Sequence, residues 1–95
     1  MARLHPRYAE AWEWDEHNEA ELARNRISVQ EVYQVWANGP EWVPNRRRRS
    51  GDHKMVGFTD GDRALSIVVK YHSDRRLNRA ITGWDATASE RKRYI

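Results

Sequence analysis

The segment Arg63 to His72, RALSIVVKYH, constrains this chain more than any other. It is rich in β-branched residues and predicts a strand. Alternation puts Leu65, Ile67, Val69 and Tyr71 on one face, and Ala64, Ser66, Val68, Lys70 and His72 on the other. Asp60-Gly61-Asp62 is a hairpin signal, so HKMVGFT, from His53 to Thr59, predicts an antiparallel partner. After a loop, SDRRLN, the run Arg79 to Trp84 (RAITGW) predicts another strand. Glu41 to Pro44 predicts a short edge strand that Pro44 closes. Such a meander cannot bury Leu65, Ile67 and Val69 alone, so helices must cover one face.

The helices carry their own start signals. Ser28 and Glu31 form an S-x-x-E capping box. Val29, Val32, Tyr33 and Trp36 then fall on one helical stripe, which Val35 widens, and Asn38-Gly39-Pro40 stops it. Thr87 and Glu90 form a second box, predicting a helix from near Ala88 whose Arg91, Lys92 and Arg93 suit the macrodipole. Upstream, WEWDE (Trp12 to Glu16) predicts a short strand, with Asp15 as the N-cap of a helix reaching about Arg24 or Asn25. Trp36 is the expected core tryptophan. Trp12, Trp14 and Trp42 are expected in the core or half-buried. The expected fold is α+β: one domain of 95 residues, in which an antiparallel meander packs against two N-terminal helices and a short C-terminal helix.

The chain has no cysteine, which excludes disulfides and thiolate zinc sites and fits the cytoplasm. No apolar run approaches a bilayer span, and Met1 to Pro6 lacks the apolar stretch of a signal peptide. The net charge is +3, with acidic residues from Glu10 to Glu31 and arginines clustered later, at Arg46 to Arg49, Arg75 to Arg79 and Arg91 to Arg93. Arginine pairs bidentately with phosphate, so the basic half suits either a nucleic acid or an acidic protein partner. The histidines show no metal-ligand spacing and no glycine-rich phosphate loop exists, so neither metal nor cofactor is expected.

WEWDEHNEAELARNRISVQEV, VGFTDGDRALSIVVKY and ITGWDATASERKRY, in this order, resemble the BrnT-type toxins of bacterial toxin–antitoxin systems. The resemblance covers roughly Trp12 to Tyr94. It implies a RelE-like fold, ribosome-independent RNA cleavage, and an antitoxin of ribbon-helix-helix or helix-turn-helix type that also binds operator DNA. Where the family usually has Lys-His-Gly, this chain has Arg24-Asn25-Arg26, and Asn25 is expected to meet the backbone demand of that turn. Where the family often has arginine in the last strand, this chain has Trp84.

Metal-free RNA cleavage needs a base for the 2′-hydroxyl proton, an acid for the leaving 5′-oxygen and cations for the phosphate. The candidate catalytic residues are His53, Lys54, Lys70, His72 and Arg79, expected to share one hollow of the sheet, with Arg79 as phosphate clamp. The competing reading is a solvated sheet face with surface histidines. Arg46, Arg47, Arg48 and Arg49 are candidate RNA contacts or a solvated loop. Trp84 either stacks on a base or packs under the last helix. Two other functions compete with the nuclease: a silent binding module on the same scaffold, and a toxin with a target other than RNA.

Overall fold

Five strands pair in one sheet: β1 (Ala11–Glu13), β2 (Glu41–Pro44), β3 (His53–Phe58), β4 (Ala64–His72) and β5 (Leu77–Asp85), in the order β1-β5-β4-β3-β2. The computed structural model describes residues 4 to 45 and 53 to 95, so the Arg46 to Arg49 run lies outside the described residues. The strands from β2 to β5 are successive antiparallel neighbours, the meander expected from the sequence, with the Asp60-Gly61-Asp62 signal falling between β3 and β4. β1 differs. It pairs with β5 in parallel, Ala11 opposite Leu77 and Glu13 opposite Arg79, so the sheet is mixed and not purely antiparallel. The chain leaves β1 through two helices, enters the far edge as β2 and returns strand by strand. A parallel pair requires such a long crossover.

Between β4 and β5 the register shifts. Val68 faces Thr82 but Val69 faces Ala80, leaving Ile81 as the extra residue of a bulge. β5 also begins at Leu77, before the expected Arg79. Asn78 is buried there, and its Nδ2 donates to the Pro6 carbonyl at 3.1 Å. That bond ties the sheet to an N-terminal 3-10 turn, Pro6–Tyr8, which no sequence signal announces.

Three α-helices are described: α1 (Glu16–Ala23), α2 (Val29–Ala37) and α3 (Ala88–Tyr94). Each starts in a reciprocal capping box, Asp15 with Asn18, Ser28 with Glu31 and Thr87 with Glu90. α1 and α2 cover the face carrying Met55, Leu65, Ile67, Val69 and Ala80, and Leu22, Ile27, Val32 and Val35 complete that core. Two glycines permit the close approach. A Cβ at Gly57 would stand 3.3 Å from Val35 Cγ1, and one at Gly83 would stand 3.1 Å from both Ile27 Cδ1 and the Ser66 carbonyl oxygen.

β1 is too short to pair with all of β5, and α1 and the turn that follows it take over the exposed edge. Asn18 Nδ2 donates to the Ala80 carbonyl at 3.2 Å, and Asn25 Nδ2 to the Gly83 carbonyl at 2.6 Å. Buried backbone acceptors are thus satisfied by side chains where the ladder ends. Asn25 does not take the left-handed turn position. That falls to Arg26, with φ 59°.

Three packing expectations change. Trp12, 7% exposed, is the buried tryptophan, and Trp36 is half-buried against the same core. In α2 the wholly buried residues are Val32 and Val35, whereas Tyr33 is 40% exposed. The buried side of α2 is rotated toward Gly57, away from the Val29–Tyr33 stripe. The other correction is the position of α3. Its contacts are to Lys54 and Trp84, whose register partners are Val68 and Ser66, so it lies on the face opposite α1 and α2. Ala64, Ser66 and Val68, expected on a solvated face, are consequently buried.

Candidate functional site

The α3 face is built around Lys54. Alternation along β3 turns its side chain toward α3, and its Nζ donates to Glu90 Oε2 at 2.6 Å. The pair is largely shielded, the two side chains being 19% and 12% exposed. The other Glu90 oxygen accepts from Trp84 Nε1 at 3.0 Å and from the Thr87 backbone N–H at 2.9 Å. One glutamate therefore caps its helix, anchors the indole and neutralises the lysine. The Lys54 ammonium also sits 5.7 Å from the Trp84 ring centroid and 5.9 Å from that of Tyr94, within cation–π range.

Burial alone would push the Glu90 pKa up. Lys54, the Thr87 N–H and Trp84 outweigh it and hold the carboxyl at about 2, below the ordinary 4.5. The buried Ser66 hydroxyl also faces this carboxylate but closes no hydrogen bond of ordinary geometry. Glu90 is accordingly ionised at neutral pH, and too weakly basic to take a proton while Lys54 holds it.

Beside this cluster opens a cleft of about 590 Å³, lined by Val43, Asn45, Lys54, Trp84, Arg93 and Tyr94. Two aromatic rings and two cations around one hollow suit a ligand with a flat π face and an anionic group. Stacking on aromatics contributes about 1–3 kcal/mol per base in single-stranded recognition.

Of the expected catalytic residues, Lys54 thus meets Trp84. His53 does not join them. It points to the opposite face, where its ring lies 4.9 Å from that of His5, which in turn sits 5.6 Å from Trp42. Lys70 and Arg79 are register partners, with His72 and Leu77 next along, on the half of the α3 face beyond the helix. Arg79 is already engaged: Nη1 lies 3.2 Å from Glu13 Oε1 and 2.8 Å from Asp15 Oδ2. That bridge joins β5 to β1 and to the cap of α1, and it takes the place of the expected free phosphate clamp. The Arg79 bond, then the Asn18 N–H, lower the Asp15 pKa to about 2.

Glu90, Arg93 and Tyr94 were absent from the sequence-based site. The capping box accounts for Glu90 and helix polarity for Arg93, and Tyr94 carries no local signal of its own, so nothing nearby in the sequence announces a second role. Among the described residues no group of three His, Asp or Glu side chains could hold a metal ion. No helix among them is long and apolar enough to cross a membrane. No protein-family profile matches the chain, and a search of curated proteins finds no match.

Proposed function

We propose that this chain is the toxin of a bacterial toxin–antitoxin pair, BrnT-type and RelE-like, that cleaves RNA in the cytoplasm without a metal and is neutralised by a DNA-binding antitoxin. The supporting observation is the Lys54 ammonium set between Trp84, Tyr94 and Glu90 on the wall of an open cleft. In this reading Trp84 and Tyr94 receive a base, and Arg93 and Lys54 receive the neighbouring phosphate.

The phosphate competes with Glu90 for Lys54. As Lys54 turns to it, burial raises the Glu90 pKa and makes the carboxylate a better proton acceptor. Glu90 then takes the 2′-hydroxyl proton as the 2′-oxygen attacks phosphorus. The bond from phosphorus to the 5′-oxygen breaks, and Lys54 protonates that oxygen. The products are a 2′,3′-cyclic phosphate and a 5′-hydroxyl.

Expression without the antitoxin should arrest growth, and the purified protein should shorten RNA in the presence of a chelator. Normal growth with RNA left intact over a range of salt concentrations contradicts the proposal. A specific observation favours a second reading, a silent binding module: Lys54, Glu90 and Arg79 are each satisfied inside the protein. Under that reading RNA binds the cleft and is released uncut.

A further inference from the structure

The face opposite the cleft holds a second hollow, of about 680 Å³, between α1 and α2. Its floor is Leu22 and Ile27, and its walls include Trp14, Ala20, Ala23 and Val29. Three independent features characterise it. First, α2 carries more apolar surface than the fold uses. Val29 is only partly buried, and Tyr33, one turn on, is 40% exposed beside Trp14, whose Nε1 donates to the Tyr33 hydroxyl at 3.1 Å. Second, α1 presents Ala20 and Ala23 outward, one turn apart, where large side chains would block an approaching backbone. Third, the rim is acidic. Glu19 lines the hollow and Glu16 precedes Ala20 by one turn, and neither makes an ion pair among the described residues.

The unpaired acids stand out because their neighbours are neutralised internally: Asp15 by Arg79, Glu21 by Arg24 and Glu31 by Arg63. They also stand out in a chain of net charge +3. We propose that this groove seats an amphipathic α-helix of a partner protein, with apolar side chains on the Trp14–Val29–Tyr33 side and Lys or Arg against Glu16 and Glu19. A helix is favoured over a strand because the hollow runs between two helices and offers no open sheet edge. Its occupation leaves the cleft under α3 free, since that lies on the other face. The inference therefore stands apart from the proposed nuclease reading.

The test titrates isotope-labelled protein with a synthetic Lys/Leu peptide of about 18 residues, patterned as an amphipathic helix, and follows amide and indole resonances. Shifts should centre on the Trp14 indole, Ala20, Ala23 and Val29, while the Trp84 indole stays unmoved. A Glu/Leu peptide of the same pattern should not bind. The Glu16→Lys/Glu19→Lys variant should weaken binding by about tenfold or more. Ala20→Arg should block it, and this exposed helical site accepts arginine without unfolding, which circular dichroism verifies. Three outcomes of the titration overturn the proposal: equal binding of the Glu/Leu peptide, shifts centred on the α3 cleft, or unchanged binding by folded Ala20→Arg. Self-association through this groove at working concentration also overturns it, since the occupant would then be a second copy.

Discussion

His53 and Lys54 are consecutive in β3 but serve opposite faces of the sheet: the His53 ring lies 4.9 Å from that of His5, while the Lys54 ammonium lies 2.6 Å from Glu90 of α3. Strand alternation makes this unavoidable, because neighbouring side chains in a strand point to opposite sides. A site that used both residues could not form on one surface. The chemistry available on the α3 face is therefore that of Lys54 with Glu90, Trp84, Arg93 and Tyr94.

The Lys54–Glu90 pair should make stability pH-dependent in acid. The Glu90 pKa is about 2 in the fold against an ordinary 4.5. A depressed carboxylate contributes fully above its unfolded value, and that contribution is lost as pH falls through the folded value. Between about pH 5 and pH 2, wild type should lose about 2–3 kcal/mol more than Glu90→Gln in denaturant unfolding. Parallel pH profiles for the two proteins would remove the basis for this pairing.

Lys54→Met should move the Glu90 titration upward. With its main partner gone, burial becomes the dominant influence and favours the protonated form. Carboxyl-carbon resonances followed through acid give the answer directly. A Glu90 midpoint that stays near its wild-type position shows that Lys54 is not what holds it down.

Arg79 should matter to α1 more than to RNA. Arg79→Met removes the largest cause of the low Asp15 pKa, which should climb from about 2 toward 3.8. Amide exchange at the first turn of α1 should quicken, because Asp15 also accepts the Asn18 N–H there. Unchanged exchange and an unchanged Asp15 titration would disconnect this arginine from the cap.

Arg63 is the main clamp of the α1–α2 turn. Its guanidinium reaches Asp85 and Glu31 and also donates to the Arg26 carbonyl at 2.6 Å and the Asn25 carbonyl at 3.0 Å. Arg63→Ala should cost about 2–4 kcal/mol, and Arg63→Lys should recover little of it, since an ammonium cannot reproduce the planar fork. Chemical denaturation of the three proteins decides this. Full rescue by lysine would reduce the clamp to simple charge.

Much of this architecture can be read from the chain. All three N-caps, α1 through α3, coincide with polar residues whose side chains accept the N3 amide. The β3–β4 hairpin follows from Asp60-Gly61-Asp62 and from strand alternation. What cannot be read is long-range. β1 is three residues long, and no periodicity in so short a segment reveals that it lies parallel to β5. Ser66 and Val68 look like outer-face residues because they are small or isolated among polar neighbours, and only the docking of α3 shows why they are small. Glu90 had a complete local explanation as a capping residue, which concealed its bond to a lysine 36 positions away. The charge pattern showed an excess of arginine but not which ones were spent: Arg63 and Arg79 are held by carboxylates distant in sequence.

The central claim, that RNA enters the cleft beneath α3, is tested most directly by titrating the labelled protein with a short single-stranded RNA and watching the five tryptophan indoles. The Trp84 resonance should shift in a salt-dependent manner, while that of Trp14 on the far face stays in place, and Lys54→Ala should abolish the response. A silent Trp84 at saturating RNA, or an undiminished response in Lys54→Ala, would contradict the account.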